Sequence, residues 1–90
     1  MSHMTKHAAV GEVASQGIAG EVRAELARQK RTAGELARAL GMSAHTVGRR
    51  LSGAAPFNVV ELNATARWLG VDVVTLMTRA ERTQAGAVAS

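Results

Sequence analysis

Ninety residues give material for one small domain with a single core and no room for a second. The chain has no cysteine, which excludes disulfides and thiolate metal sites, so stability must come from packing, with dimerisation as an aid. No apolar run approaches the roughly 18 residues needed to span a bilayer, and the basic balance of +4 is expected to belong to a cytoplasmic, unexported protein.

That charge is unevenly spread. Between Val22 and Gly53, seven basic side chains (Arg23, Arg28, Lys30, Arg31, Arg38, Arg49 and Arg50) stand against Glu25 and Glu35, a local excess of +5, while the flanking segments sum to −1 and zero. Concentration on one stretch suits a polyanionic partner, because neutralised phosphates release condensed counterions. A solvated basic face is the competing reading.

Residues 1–14 carry little periodic pattern and are expected to be a flexible N-terminal tail, with residues 1–3 resembling a cloning remnant ahead of Met4. His3 and His7 lie four apart, but two ligands on such a tail make a poor site, and no metal is expected. From about Ser15, Ile18, Val22 and Leu26 recur every four residues and predict an amphipathic first helix. Gly17 and Gly20 weaken its beginning, which is expected to fray or to lie nearer Gly20.

Thr32 with Glu35 has capping-box spacing, so a second helix should begin at Ala33. Leu36, Ala37 and Leu40 form its apolar stripe, and Gly41 supplies the left-handed residue that ends it. Ser43 caps a third helix in which Val47 and Leu51 share a face. A small residue at 37, a glycine four later and a β-branched residue six after that have the spacing of a DNA-binding helix-turn-helix over residues 32–53. Gly48 inside the third helix is costly, and its purpose, close approach to DNA or to another helix, stays open at this point.

Gly53 and Pro56 end the third helix, and Phe57 is expected to plug the core beneath the loop. Asn58 with Glu61 repeats the capping box and starts a fourth helix striped by Val59, Leu62, Ala66 and Leu69, which stops at Gly70. Asp72 caps a short fifth helix carrying Val73, Val74, Leu76 and Met77, and residues 80–90 are expected to fray as a C-terminal tail. The fold class is therefore all-α, a five-helix bundle over residues 15–79 with no strand signal for a wing. The expected core is Val22, Leu26, Leu36, Ala37, Leu40, Val47, Leu51, Phe57, Leu62, Ala66, Leu69, Val74 and Met77.

In their order and spacing, GELARALGMSAHTV, RRLSG and LNATARWLGVDVVTLM resemble the Cro-like and lambda-repressor-like helix-turn-helix regulators, the XRE family, from about Val22 to Met77. The resemblance implies a compact lambda-repressor-like domain that binds double-stranded DNA. It places base contacts at Ala44, His45 and Arg49, and phosphate contacts at Thr32 and Ala33. Arg49 is the strongest candidate, since a guanidinium on guanine O6 and N7 is the commonest specific contact; a phosphate contact or plain surface charge is the alternative. His45 has the chemistry to donate to guanine or phosphate, and Ala44 to touch a thymine methyl, each against a reading as mere surface. Thr46 falls among the base-reading positions of the helix, although it and Ser43 suit phosphate or cap roles better. Arg38 and Arg50 are further phosphate candidates.

Two departures from the family pattern stand out. Many members have glutamine where this chain has Ala33, leaving only a backbone N–H for the phosphate, and Arg50 occupies a position more often apolar. The resemblance further implies a twofold homodimer on a palindromic operator, with Trp68, off the Leu62 and Leu69 stripe, as a candidate interface residue. The expected function is a small phage or bacterial repressor that occupies an operator and blocks transcription, with no cofactor or small-molecule ligand. Without cysteine or tyrosine, and with no histidine beside a carboxylate and a nucleophile on one face, no catalytic set is visible and no enzyme is expected. The alternative is a protein-interaction module, antitoxin-like or anti-repressor-like, in which the same fold binds DNA weakly.

Overall fold

Local capping chemistry sets most of the helix boundaries. The computed structural model describes the backbone of residues 2–89 and the side chains of residues 16–83. Five helices, α1 (Ser2–Gln29), α2 (Ala33–Leu40), α3 (Ala44–Ser52), α4 (Val59–Leu69) and α5 (Val73–Ala89), account for the regular structure, with no strand among the described residues.

Two capping boxes close as the sequence predicts. Thr32 Oγ1 accepts from the Glu35 amide (3.1 Å) while Glu35 accepts from the Thr32 amide (2.8 Å), and Asn58 and Glu61 repeat the exchange at 2.8 and 3.1 Å. Gly41 ends α2 at φ 66°, ψ 32°, a conformation that penalises residues with a Cβ. Its amide points back to the Ala37 and Arg38 carbonyls, and the Met42 amide donates to the Ala37 carbonyl (2.9 Å). The chain can thus leave α2 and enter α3 within three residues.

The core forms where the five helices converge. Val22 and Leu26 of α1, Leu36 and Ala37 of α2, Val47 and Leu51 of α3, Leu62, Ala66 and Leu69 of α4, and Leu76 of α5 are buried in one cluster. Leu40 and Phe57, expected inside, are half-buried and pack against its rim. Ala19, Ala80 and Thr65 are also buried; the Thr65 hydroxyl meets its hydrogen-bonding need by donating to the Glu61 carbonyl at 2.8 Å.

Three expectations need correction. First, α1 begins at Ser2 rather than near Ser15, so the backbone of the proposed N-terminal tail belongs to the helix. Ala8, Ala9, Glu12 and Ala14 are good helix formers, and they outweigh the glycines. The side chains of His3 and His7 lie outside the described residues, as do those of the proposed cloning remnant.

Second, α5 does not end near Ala80 but continues to Ala89, and as far as Thr83 it is held against α1. Ala80 is only 4% exposed, Arg79 donates to Glu25 at 3.2 Å, and Thr83 donates to Glu21 at 3.3 Å. Third, Val74 and Met77 face outward, 62% and 44% exposed, as does Val59 of the expected α4 stripe at 76%, and Leu76 takes the core position. Val73, Leu76 and Ala80, at i, i+3 and i+7, form the inward stripe of α5, and that stripe rotates Val74 and Met77 to the outside.

Glu25 holds α1 and α5 together. This buried carboxylate accepts from Gln29 (2.9 Å), Arg28 (2.8 and 3.1 Å) and Arg79 (3.2 Å), and the same Gln29 amide also donates to the Leu69 carbonyl (2.7 Å). The hydrogen bond from Gln29, then that from Arg28, hold the Glu25 carboxyl below the usual carboxylate range against the opposing effect of burial.

Candidate nucleic-acid interface

The α2–turn–α3 unit divides α3 into an anchored face and an open one. Val47 and Leu51 are buried on the anchored side, while Ala44, His45, Gly48 and Arg49 are exposed on the other. Ser43 caps the helix by accepting from the Thr46 amide (3.1 Å), and its hydroxyl donates to Thr46 Oγ1 (2.9 Å). Thr46 is half-buried with its hydroxyl already engaged, a geometry that favours cap support over base reading.

The far end of α3 is fixed twice. Arg23 of α1 donates from Nη1 to the Leu51 carbonyl, filling an acceptor that the helix end leaves unpaired. Arg50 reaches across to α4, where Nε meets Glu61 Oε1 at 2.8 Å and Nη2 meets Oε2 at 3.3 Å. The pair is mostly shielded, with side-chain exposures of 20% and 16%. Hydrogen bonding to Arg50, reinforced by the Asn58 amide, holds the Glu61 carboxyl below its ordinary range, and the same pairing raises Arg50. A two-point guanidinium–carboxylate contact fixes orientation as well as distance. Arg50, expected to be a phosphate contact, is paired with Glu61 of α4 through Nε and Nη2.

Arg49 is placed differently. Its guanidinium makes no hydrogen bond or ion pair among the described residues, and neither does that of Arg38 on α2, which is also exposed. Both lie on the helix pair that the charge excess singled out. At the start of α2, Thr32, Ala33 and Gly34 are exposed, and the first amides of the helix lack intrahelical acceptors. The positive end of that helix dipole adds to the local field, partly offset by Glu35, whose carboxyl is held low chiefly by the Thr32 amide.

Trp68 is half-buried and covered. Arg31 lies over its ring at 4.2 Å from the centroid and donates to its carbonyl at 2.8 Å. Beside it, Glu35, Arg38, Ala39 and Trp68 line a shallow hollow of about 340 Å³. Sequence reasoning identified Trp68 but missed Arg31, which lies 37 positions away and carries no local signal of the contact. The Arg50–Glu61 bridge was missed in the same way.

The structure thus brings Ala44, His45 and Arg49 together on one open face, with Thr32, Ala33 and Ser43 at the two helix starts. A family model described as the BetR domain matches residues 12–89. The chain belongs to the BetR domain family. No curated protein and no solved structure matches it. BetR domains are small, helical and helix-turn-helix-like, as are the five helices and the α2–α3 pair described above. Membership also supports a DNA-binding regulator. Among the described residues of this BetR domain there is no cluster of three or more potential metal ligands, and no helix is long and apolar enough to cross a membrane.

Proposed function

We propose that this domain is a sequence-specific binder of double-stranded DNA and acts as a non-catalytic transcriptional repressor of the Cro-like, XRE type. In this reading α3 lies in the major groove. Arg49 addresses guanine, His45 a neighbouring base edge or phosphate, and Ala44 a thymine methyl. Thr32, the Ala33 amide, Ser43 and Arg38 hold the flanking phosphates, and Arg50 braces α3 from behind. The observation that carries the reading is the division of α3: one face is locked by Val47, Leu51, Arg23 and Arg50, and the other presents an unpaired Arg49.

A single domain of this size covers few base pairs, so two copies on a palindromic operator would supply the affinity, with the half-buried Trp68 as a candidate contact between them. Occupancy of the operator would exclude polymerase in a bacterial or phage setting.

Selection of bound fragments from genomic DNA, followed by titration at two salt concentrations, tests the proposal. The expected result is a palindromic site and a steep loss of affinity with salt. Sequence-blind or salt-insensitive binding overturns it and favours the protein-interaction module.

A further inference from the structure

Gly48 is a helix-interior glycine on the exposed side of α3. Gly17 and Gly20 also lie inside a helix, α1, where Gly17 is buried and a Cβ on Gly20 would meet only the end of the Arg23 side chain at 3.6 Å. Gly41, Gly53 and Gly70 adopt left-handed backbone at helix ends, and Gly34 lies in the first turn of α2, outside a helix interior. Gly48 has no positive φ, sits in the middle of α3, and a Cβ built on it would meet no atom within 4 Å. Alanine would fit there, and would favour the helix, since glycine in a helix interior is the poorest choice short of proline. Neither backbone conformation nor packing within the chain accounts for the missing side chain. The position is exposed, with Arg49 next to it and His45 one turn away on the same open face.

We infer that Gly48 is bare because the DNA duplex itself comes into van der Waals contact with the α3 backbone at this point, making Gly48 a specificity-determining residue. The inference rests on the reading of α3 as the groove-lying helix and adds a residue that makes its contribution by having no side chain. A side chain at 48 would act as a spacer between helix and groove. It would lift Arg49 and His45 away from base edges, while the longer-range attraction between basic side chains and phosphates would persist. The sequence left open whether the close approach is to another helix or to DNA; among the described residues no other helix of this chain comes within 4 Å of a Cβ at Gly48.

The test uses the full chain, a duplex containing its selected site, and a scrambled duplex of equal length. Gly48→Ala should raise the melting temperature by about 4 °C while weakening binding to the selected site about tenfold. Gly48→Leu, folded by circular dichroism, should lose about a hundredfold on the selected site and little on the scrambled duplex at low salt. If Gly48→Leu binds the selected site within about twofold of the unmodified chain, the inference is overturned while base reading by α3 stands. If the unmodified chain selects no sequence at all, the base-reading proposal fails and the role of Gly48 fails with it.

Discussion

Arg50 and Glu61 form a two-point ion pair, with Nε to Oε1 at 2.8 Å and Nη2 to Oε2 at 3.3 Å, and the same carboxylate caps α4 by accepting from the Asn58 amide. One acidic group therefore fixes both the start of α4 and the tilt of α3. Arg50→Gln should lower the melting temperature and reduce discrimination between operator and scrambled DNA. It should leave the dependence of binding on salt unchanged, because its charge is already partnered. Arg38→Gln should do the opposite, reducing the salt slope by about one with little effect on discrimination. Titrations of both variants across a range of salt check the contrast, and a reduced slope for Arg50→Gln would restore it as a phosphate contact.

Arg49 is unpaired among the described residues, so its removal should leave the fold intact. Arg49→Ala is expected to melt at the temperature of the unmodified chain and to lose about 1–3 kcal/mol of discrimination at one position of the site. Competition binding against single-base variants of the operator measures this. Unchanged discrimination would remove Arg49 from the base-reading set.

Three carboxyls, Glu25, Glu35 and Glu61, are held below their ordinary range by Gln29 and Arg28, by Thr32, and by Arg50 respectively. A depressed folded value means that the unfolded chain binds protons first as pH falls. The stabilisation is fully present above the unfolded value, about pH 4.3, and is lost as pH drops through the folded values. Thermal unfolding followed from pH 7 to pH 3 should show a level region followed by a decline below about pH 4.5. Glu25→Gln should flatten that decline, and an unchanged slope would show that the α1–α5 cluster does not contribute to it.

The rotation of α5 gives a direct test of the core. Leu76→Ala should cost about 2–5 kcal/mol in denaturant unfolding, whereas Val74→Ser should stay within about 0.5 kcal/mol. The reverse order would return Val74 to the interior.

Features that depend on neighbours in sequence were legible before any coordinates. Thr32 with Glu35, Asn58 with Glu61, and the stops at Gly41, Gly53 and Gly70 act within a few residues, and each lies where spacing placed it. The set Ala44, His45 and Arg49 came from the family resemblance, and the position-based reading of α3 also included Thr46, which is half-buried. The roll of α5 was not legible. Both Val74 with Met77 and Val73 with Leu76 make apolar pairs at helical spacing, and only packing against the rest of the bundle, α1 and α4 included, selects between them. The contacts that carry α5 past Ala80, Arg79 with Glu25 and Thr83 with Glu21, join positions 54 and 62 apart and leave no local signal. The partners of Arg50 and Arg31 lie 11 and 37 positions away, beyond the reach of any periodicity argument.

The chain has one tryptophan and no tyrosine, and its indole lies beneath Arg31 beside the α2 surface that carries Arg38. Its emission is therefore a native optical probe of the seam between α2 and α4. A duplex that draws Arg38 toward its phosphates would change the polarity around the ring, so the protein can report its own occupancy without a dye.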